Sequence, residues 1–188
     1  YVFHEIVHNK HVVEGFCRRG VVFVDSLDEI PESSHVLFSA HGVSPDIRQQ
    51  ARERRLKTID ATCPLVFKVH TEAVKFVAAG YAVLLIGHAG HDEAVGTLGE
   101  APDQIQLIET PDDVDAVKVR DPDKVAYLTQ TTLSLDHVKN IVDRLEQRFP
   151  RIIGPAKQDI CYATQNRQTA VKALLSEADI VLVIGSQN

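Results

Sequence analysis

The chain has 188 residues, of which 44% are hydrophobic and 24% charged, as in an ordinary soluble globular protein. Because the net charge is −6 and no lysine- or arginine-rich run occurs, we expect neither nucleic acid nor an anionic membrane as a partner. Three dispersed cysteines do not suggest a disulfide framework, and no apolar run approaches the roughly 20 residues of a membrane span.

Apolar, β-rich runs alternate with helical stretches along the chain. The predicted strands are residues 21–24, 36–38, 82–86, 106–108, 125–128 and 180–184. The predicted helices are residues 9–19, 45–55, 64–79, 135–149 and 164–178, with Ser44 and Ser134 as expected N-caps. Such alternation of helices with fully apolar strands is typical of an α/β fold with parallel sheets.

The ends of the sequence suggest a piece of a longer protein. The chain contains no methionine, begins inside a strand-like stretch and stops just after the apolar run VLVIG. We therefore expect further segments outside these residues, and we expect the piece alone to be inactive. The reducing cytoplasm is the expected compartment, or a plastid if the source organism has plastids.

An internal repeat organises the chain. Residues 63–87, CPLVFKVHTEAVKFVAAGYAVLLIG, match residues 161–185, CYATQNRQTAVKALLSEADIVLVIG. Each copy runs from a cysteine through a helix to a strand that ends in Ile-Gly. We divide the chain into a first α/β unit (1–63), a second (64–157) and the start of a third (158–188). Units facing a common centre would bring the loops at the carboxyl ends of their strands into one cavity.

Two of the three cysteines occupy matching repeat positions. Cys63 immediately precedes Pro64 at a predicted helix start, and Cys161 precedes its predicted helix by a few residues. Helix N-termini favour the thiolate form that binds metals, although a buried, inert thiol is the alternative. Two thiolates are few for a zinc site or a cluster, so a third ligand would lie elsewhere. Cys17 has no repeat partner and is interpreted as a helix cysteine without a metal.

The stretch LLIGHAGHDEAVGT, residues 84–97, combines an apolar strand with His88, His91, Asp92 and Glu93. One reading is a zinc hydrolase that uses His88, His91 and Glu93, but Gly87 and Gly90 predict a loop, which weakens it. A second reading is a non-catalytic phosphate-binding α/β module, although the sequence has neither a P-loop nor G-x-G-x-x-G.

A third reading comes from the motifs taken together. HEIVHN, FSAHGVS, DATCPLVFKVH, IGHAGHDE, LTQTTLS, DICYATQNRQ and IGSQN resemble the 4-hydroxy-3-methylbut-2-enyl diphosphate reductase family, also called LytB or IspH, across residues 1–188. The resemblance implies a pseudo-threefold trefoil of α/β units around a [4Fe–4S] cluster held by three cysteines. It also implies reductive removal of the substrate's allylic hydroxyl, giving isopentenyl and dimethylallyl diphosphate in the non-mevalonate pathway, with ferredoxin or flavodoxin as electron donor.

The same resemblance assigns roles to individual residues. Cys63 and Cys161 match two cluster ligands, and the third lies upstream of Tyr1. His8 and His41 match residues that bind the diphosphate. His91, Glu93 and Thr131 match the surroundings of the substrate hydroxyl, with Glu93 as proton donor and Thr132 beside them. The family's Ser-x-Asn phosphate stretch would begin just past Asn188.

Two further expectations concern other residues. Asp92 replaces a common family proline and is expected to be solvated or capping. His88 is expected to be a capped or core-edge histidine outside the site, and His4, His11, His35, His70 and His137 are expected to be structural or exposed.

Overall fold

The computed structural model describes residues 1–184, which form two parallel β-sheets with helices packed against them. The first sheet has the strand order β2-β1-β3-β4, and the second has the order β6-β5-β7. The strands are β1 Val2–Phe3, β2 Phe23–Val24, β3 His35–Phe38, β4 Lys57–Asp60, β5 Ala82–Ile86, β6 Ile105–Ile108 and β7 Val125–Thr129. The predicted α/β class with parallel sheets is confirmed.

Seven α-helices connect or cover these strands in residues 1–184. They are α1 Lys10–Cys17, α2 Pro45–Glu53, α3 Pro64–Ala78, α4 Asp92–Leu98, α5 Asp113–Ala116, α6 Leu135–Arg148 and α7 Tyr162–Leu174. The start of α2 follows the sequence expectation, because Pro45 is the first helical residue and the Ser44 hydroxyl accepts a hydrogen bond from the Ile47 N–H. Ser134 precedes α6 as expected, but its side chain makes no capping hydrogen bond.

The core consists of three groups of buried apolar side chains. One lies between the second sheet and α6, where Leu84, Ile141 and Leu145 are fully buried. A second fills the space between the first sheet and α2, and a third lies between the second sheet and helices α3 and α4. Burial on both sides of β5 explains why its sequence is a continuous apolar run.

Several predicted boundaries need correction. The strand expected at 180–184 is absent: these residues are irregular, and the Val183 and Ile184 side chains are 87% and 93% exposed. No strand of residues 1–184 pairs with this segment, and an unpaired segment lacks the ladder hydrogen bonds that define a strand. Residues 185–188 lie outside the described residues. Helix α7 starts immediately after Cys161, earlier than expected, so Cys161 and Cys63 are both N-cap residues.

Two elements near the site were not predicted. Strand β4 is an edge strand whose four residues are all exposed, so the sequence KTID carries no apolar signal. Helix α4 begins at Asp92, whereas we expected a loop through Glu93 because of the nearby glycines. The missed signal was the pair Asp92 and Glu93, since acidic residues favour the first turn of a helix.

Candidate functional site

Three histidines from separate loops meet at the carboxyl ends of the parallel strands. His8 follows β1, His41 follows β3, and His91 is the N-cap residue of α4 after β5. The ring centroids of His8 and His41 are 4.8 Å apart, those of His8 and His91 are 5.4 Å apart, and those of His41 and His91 are 5.7 Å apart. We call His8, His41 and His91 the histidine cluster.

The environments of His41 and His91 favour neutral rings in the free site. Burial, together with the neighbouring His41 and His8, lowers the pKa of His91 to about 4. Burial and His8 also lower the pKa of His41, against the opposing effect of Asp92. The Glu93 backbone N–H donates to His91 Nδ1 at 3.2 Å, so the neutral His91 ring carries its proton on Nε2. His8 Nε2 is buried and has no hydrogen-bond partner among the described residues.

Glu93 and Thr131 form a buried pair beside the histidine cluster. Both residues are 5% exposed. The Thr131 backbone N–H donates to Glu93 Oε2 at 2.8 Å, and the Thr131 hydroxyl lies 3.0 and 2.9 Å from the two carboxyl oxygens. Burial raises the pKa of Glu93, although the hydrogen bonds from Thr131 oppose this effect. A carboxyl group with a raised pKa is suited to donating a proton near neutral pH.

The loop that carries His41 packs tightly against helix α3. Gly42 has a positive φ of 78°, and a Cβ at this position would lie 3.1 Å from Val66 and 3.2 Å from His70. His70, which we expected to be structural or exposed, is 4% exposed and pairs through Nδ1 with Glu100 Oε1 at 2.8 Å. The contact therefore leaves His41 little freedom to move relative to α3.

Cys63 and Cys161 lie next to this site through their backbones. The Cys63 N–H donates to the Ala40 carbonyl at 3.0 Å, and the Cys161 N–H donates to the Thr131 carbonyl at 2.7 Å. Both thiols are free and half-buried at helix N-caps where no side chain caps the helix. They fit the thiolate type of ligand that iron–sulfur clusters require. In residues 1–184, no three His, Cys, Asp or Glu side chains are arranged to hold a metal ion by themselves.

Cys17, by contrast, is the last residue of α1 and is exposed, and among the described residues its backbone makes no hydrogen bond to the loops described above. The structure also places Thr132, a predicted neighbour of the site residues, and His88, which was expected to lie outside the site. Thr132 is exposed, and its hydroxyl accepts a hydrogen bond from Gln130 Nε2 at 3.0 Å. The His88 side chain is 58% exposed and lies near Glu109 and His137, with a ring centroid distance of 6.2 Å to His137.

A buried ion pair links the segments that carry the two cysteines. Lys68, on the helix that begins after Cys63, donates to Asp159 Oδ1 at 2.6 Å. Asp159 lies two residues before Cys161, its side chain is fully buried, and its Oδ2 accepts from the Thr129 N–H at 3.1 Å. Partial burial lowers the pKa of Lys68, but hydrogen bonds to Asp159 and Glu72 outweigh it, so the pKa lies above its ordinary value. The sequence offered no signal for this pair.

A second unpredicted contact joins β1 to α4. His4 Nδ1 lies 2.6 Å from Asp92 Oδ1, and Asp92 Oδ2 lies 3.8 Å from His41 Nδ1. The expectation for Asp92 needs correction, because Asp92 is paired rather than solvated; His4 is half-buried at the rim of the site. The fold makes the pairing possible because β1 ends, and α4 begins, at the same edge of the two sheets.

The family model described as "LytB protein" matches residues 1–188. The chain belongs to the LytB family. This LytB-family chain is 58% identical to the 4-hydroxy-3-methylbut-2-enyl diphosphate reductase of Rhodopirellula baltica, covering 100% of this chain and 59% of the relative. It is 56% identical to the protein of the same name from Streptomyces coelicolor, again over its whole length and over 56% of that relative. The chain thus spans somewhat more than half the length of these relatives.

Solved structures agree with this family assignment. The E-1-hydroxy-2-methyl-but-2-enyl-4-diphosphate reductase from Plasmodium falciparum matches with a TM-score of 0.95 and 41% identity, over 100% of this chain and 59% of that one. A second structure, described as (E)-4-hydroxy-3-methyl-but-2-enyl diphosphate reductase, the terminal enzyme of the non-mevalonate pathway, matches with a TM-score of 0.76 and 31% identity, over 100% and 66% of the two chains. In the LytB-family chain, no helix among residues 1–184 is both long and apolar enough to cross a membrane.

Proposed function

We propose that this chain is part of an enzyme that removes the allylic hydroxyl of 4-hydroxy-3-methylbut-2-enyl diphosphate by reduction, giving isopentenyl and dimethylallyl diphosphate. One observation carries the proposal. A continuous path of contacts runs from Cys63 through the loop of His41 and the histidine cluster to Glu93 and Thr131, and on to Cys161. The residues proposed to bind the anion, donate the proton and supply the thiols are therefore linked by contacts, and relatives that match the whole chain bear the name of this reductase.

The histidine cluster is proposed to bind the diphosphate, chiefly through His8 and His41. His8 Nε2 is buried without a partner, which makes it a ready hydrogen-bond donor or acceptor for a ligand. A diphosphate would raise the pKa of the rings it contacts, because a bound anion stabilises the imidazolium form. Binding is then strengthened by charge-assisted hydrogen bonds.

Glu93, Thr131 and His91 are proposed to surround the substrate hydroxyl, with Thr132 at the edge of this group. A protonated Glu93 donates its proton to the departing oxygen, which then leaves as water rather than as hydroxide. Thr131 orients the carboxyl group through its backbone N–H and its hydroxyl. His91 contributes its Nε2–H as a neutral hydrogen-bond donor, because its Nδ1 is held by the Glu93 N–H.

Cys63 and Cys161 are proposed as two ligands of a [4Fe–4S] cluster whose third cysteine lies outside this chain. When bound, such a cluster supplies electrons at low potential and an iron that can act as a Lewis acid. The residues of this chain keep the two thiols at helix N-termini, where the thiolate form is favoured. We further propose ferredoxin or flavodoxin as the electron donor, and the cytoplasm or a plastid as the compartment. We also propose the division of the chain into three α/β units, namely 1–63, 64–157 and 158–188.

The two competing functions receive less support from the geometry. A zinc hydrolase based on His88, His91 and Glu93 needs the three side chains to converge. His88 instead lies beside Glu109 and His137, and the Glu93 carboxylate is engaged by Thr131. A purely binding α/β module would have no use for a buried carboxyl group with a raised pKa beside the histidine cluster.

The test is an anaerobic purification of the full-length gene product, meaning the whole open reading frame that encodes this chain. We expect a brown protein with about four iron atoms and four sulfides per chain. With a chemical low-potential reductant, it should convert the allylic alcohol diphosphate into both isoprenoid diphosphates. A colourless protein that contains zinc and hydrolyses the substrate, or one that binds diphosphate without turnover after cluster reconstitution, would contradict the proposal.

A further inference from the structure

We propose that His4 is a positioning residue that neutralises Asp92 at the rim of the site, so that a diphosphate can bind beside His41. The inference rests on the proposed function of the histidine cluster as the diphosphate site. It assigns a role to His4 and Asp92, neither of which contacts the reacting end of the substrate in the proposed arrangement.

The contacts form a short chain of charges. His4 Nδ1 is 2.6 Å from Asp92 Oδ1, and the other Asp92 oxygen is 3.8 Å from His41 Nδ1. His41 in turn stacks on His8 with 4.8 Å between ring centroids. Asp92 is therefore the carboxylate beside His41, which its second oxygen faces, whereas the carboxylate beside His8 is Glu5, with 3.9 Å between Oε2 and Nδ1.

His4 is held in place by more than this hydrogen bond. Its backbone has a φ of 59°, a left-handed conformation that a non-glycine residue rarely adopts. The His4 ring stacks on Phe3, with 4.0 Å between centroids and 23° between planes. A strained backbone persists only where surrounding contacts over-determine it, and such positions concentrate at functional sites. The strain at His4 is the cost of directing its ring toward Asp92.

The rim of the site is acidic without His4. An open cavity of about 360 Å³ is lined by His4, Glu5, His8, Asp25 and Asp92. Three of these five residues carry carboxylates, so His4 and His8 supply the only basic groups of this lining. A carboxylate close to a bound anion weakens binding through like-charge repulsion, whereas an ion-paired carboxylate does so much less.

The ionisation of the pair has a defined pH dependence. The hydrogen bond to Asp92 raises the pKa of His4, against the effect of partial burial, and the charge of Asp25 acts in the same direction. Burial alone would raise the pKa of Asp92, but the hydrogen bond from His4 outweighs it and the pKa lies below its ordinary value. The pair is thus charged below the raised pKa of His4. As pH rises through that value, His4 loses its proton and Asp92 is left uncompensated.

The experiment measures the dissociation constant of inorganic pyrophosphate by calorimetry, with anaerobic full-length protein. His4→Gln should weaken pyrophosphate binding by about 3- to 100-fold, the range expected when a contacting charge pair is broken. Asp92→Asn in the His4→Gln background should restore most of the affinity, because the carboxylate that repels the anion is removed. Asp25→Asn in the same background is the matched control. This substitution removes a carboxylate that lines the same cavity but makes no contact with His41. It should restore less of the pyrophosphate affinity than Asp92→Asn does.

Steady-state kinetics and the pH dependence of pyrophosphate binding provide two further tests. His4→Gln should raise KM while kcat stays near the wild-type value, since the proton donor is untouched. The loss of pyrophosphate affinity with rising pH should be smaller in the His4→Gln, Asp92→Asn double variant than in the wild type. Equal affinity of His4→Gln and wild type, or no recovery in the double variant, would overturn the role of His4. Absence of pyrophosphate binding and turnover in the wild type itself would instead overturn the proposed function.

Discussion

Replacing Lys68 by methionine should destabilise the protein strongly, because it leaves a buried carboxylate without its cation. The Asp159 side chain is fully buried, whereas the Lys68 side chain is 25% exposed. Removing one partner of a buried ion pair costs about 3–5 kcal/mol of unfolding free energy. Asp159 keeps one hydrogen bond, from the Thr129 N–H, and water can approach through the space left by Lys68. We therefore expect Lys68→Met to lower the free energy of unfolding by about 3 kcal/mol, the lower end of that range.

The reverse substitution, Asp159→Asn, should cost less. An asparagine oxygen can still accept from the Thr129 N–H, and Lys68 retains Glu72 at 3.0 Å and the Lys157 carbonyl at 2.9 Å. A lost hydrogen bond to a charged group is worth about 1.5–3 kcal/mol, and we expect about 2 kcal/mol here. The double variant should be no less stable than Lys68→Met alone, since it has no unpaired buried charge.

Urea unfolding of the full-length protein, followed by circular dichroism with a reversibility check, measures these differences. The control is Lys139→Met, which removes a lysine from an exposed pair with Asp143 on a helix and should leave the urea midpoint unchanged. The order of stability should be Lys139→Met, then Asp159→Asn, then Lys68→Met. The reasoning would be refuted if Lys68→Met matched the Lys139→Met control, or if Asp159→Asn were the more damaging change.

Four other predictions concern the proposed chemistry. Glu93→Gln should lower the single-turnover rate with a pre-reduced cluster by about 10²–10⁴-fold while substrate still binds, and a near-normal rate would remove Glu93 from the proton-donor role. His41→Ala should weaken binding more than it slows the bound substrate, which a titration beside the same kinetics will check. Cys63→Ser and Cys161→Ser should lose iron and activity, whereas Cys17→Ser should keep both; comparable iron loss in Cys17→Ser would show a wrong ligand assignment. Pyrophosphate binding should take up protons and weaken as pH rises between the lowered pKa of free His41 and its higher pKa beside the bound anion; calorimetry in buffers of different ionisation enthalpy would show proton release if this is wrong.

The fold class could be predicted from local sequence patterns, and the residues of the proposed site from the resemblance of the motifs to the LytB family. Strand–helix alternation, the Ser44–Pro45 helix start and the repeat around the two cysteines are local patterns, and local patterns reflect backbone preference and burial directly. The motif residues His8, His41, His91, Glu93 and Thr131 were named from the sequence, and the structure brings them to one edge of the sheets. That convergence follows from parallel strands, whose carboxyl ends meet on one side.

Whether two strand segments with misleading sequences form strands depended on the tertiary structure. Strand β4 exists because β3 offers it a hydrogen-bonding edge, not because its exposed residues prefer that conformation. Residues 180–184 have a strong strand sequence, yet no strand of residues 1–184 pairs with them, and they stay irregular. Pairing partners decide both outcomes, because strand hydrogen bonds are made between segments rather than within one.

The ion pairs were also decided only by the tertiary structure. His4 and Asp92 are 88 positions apart, and Lys68 and Asp159 are 91 apart. Taken alone, each of these residues has the sequence context of an ordinary surface or capping group. Packing of the helices on the two sheets removes water from them and leaves each as the other's partner. Burial and pairing over such separations are products of the whole fold, and no local pattern of residues encodes them.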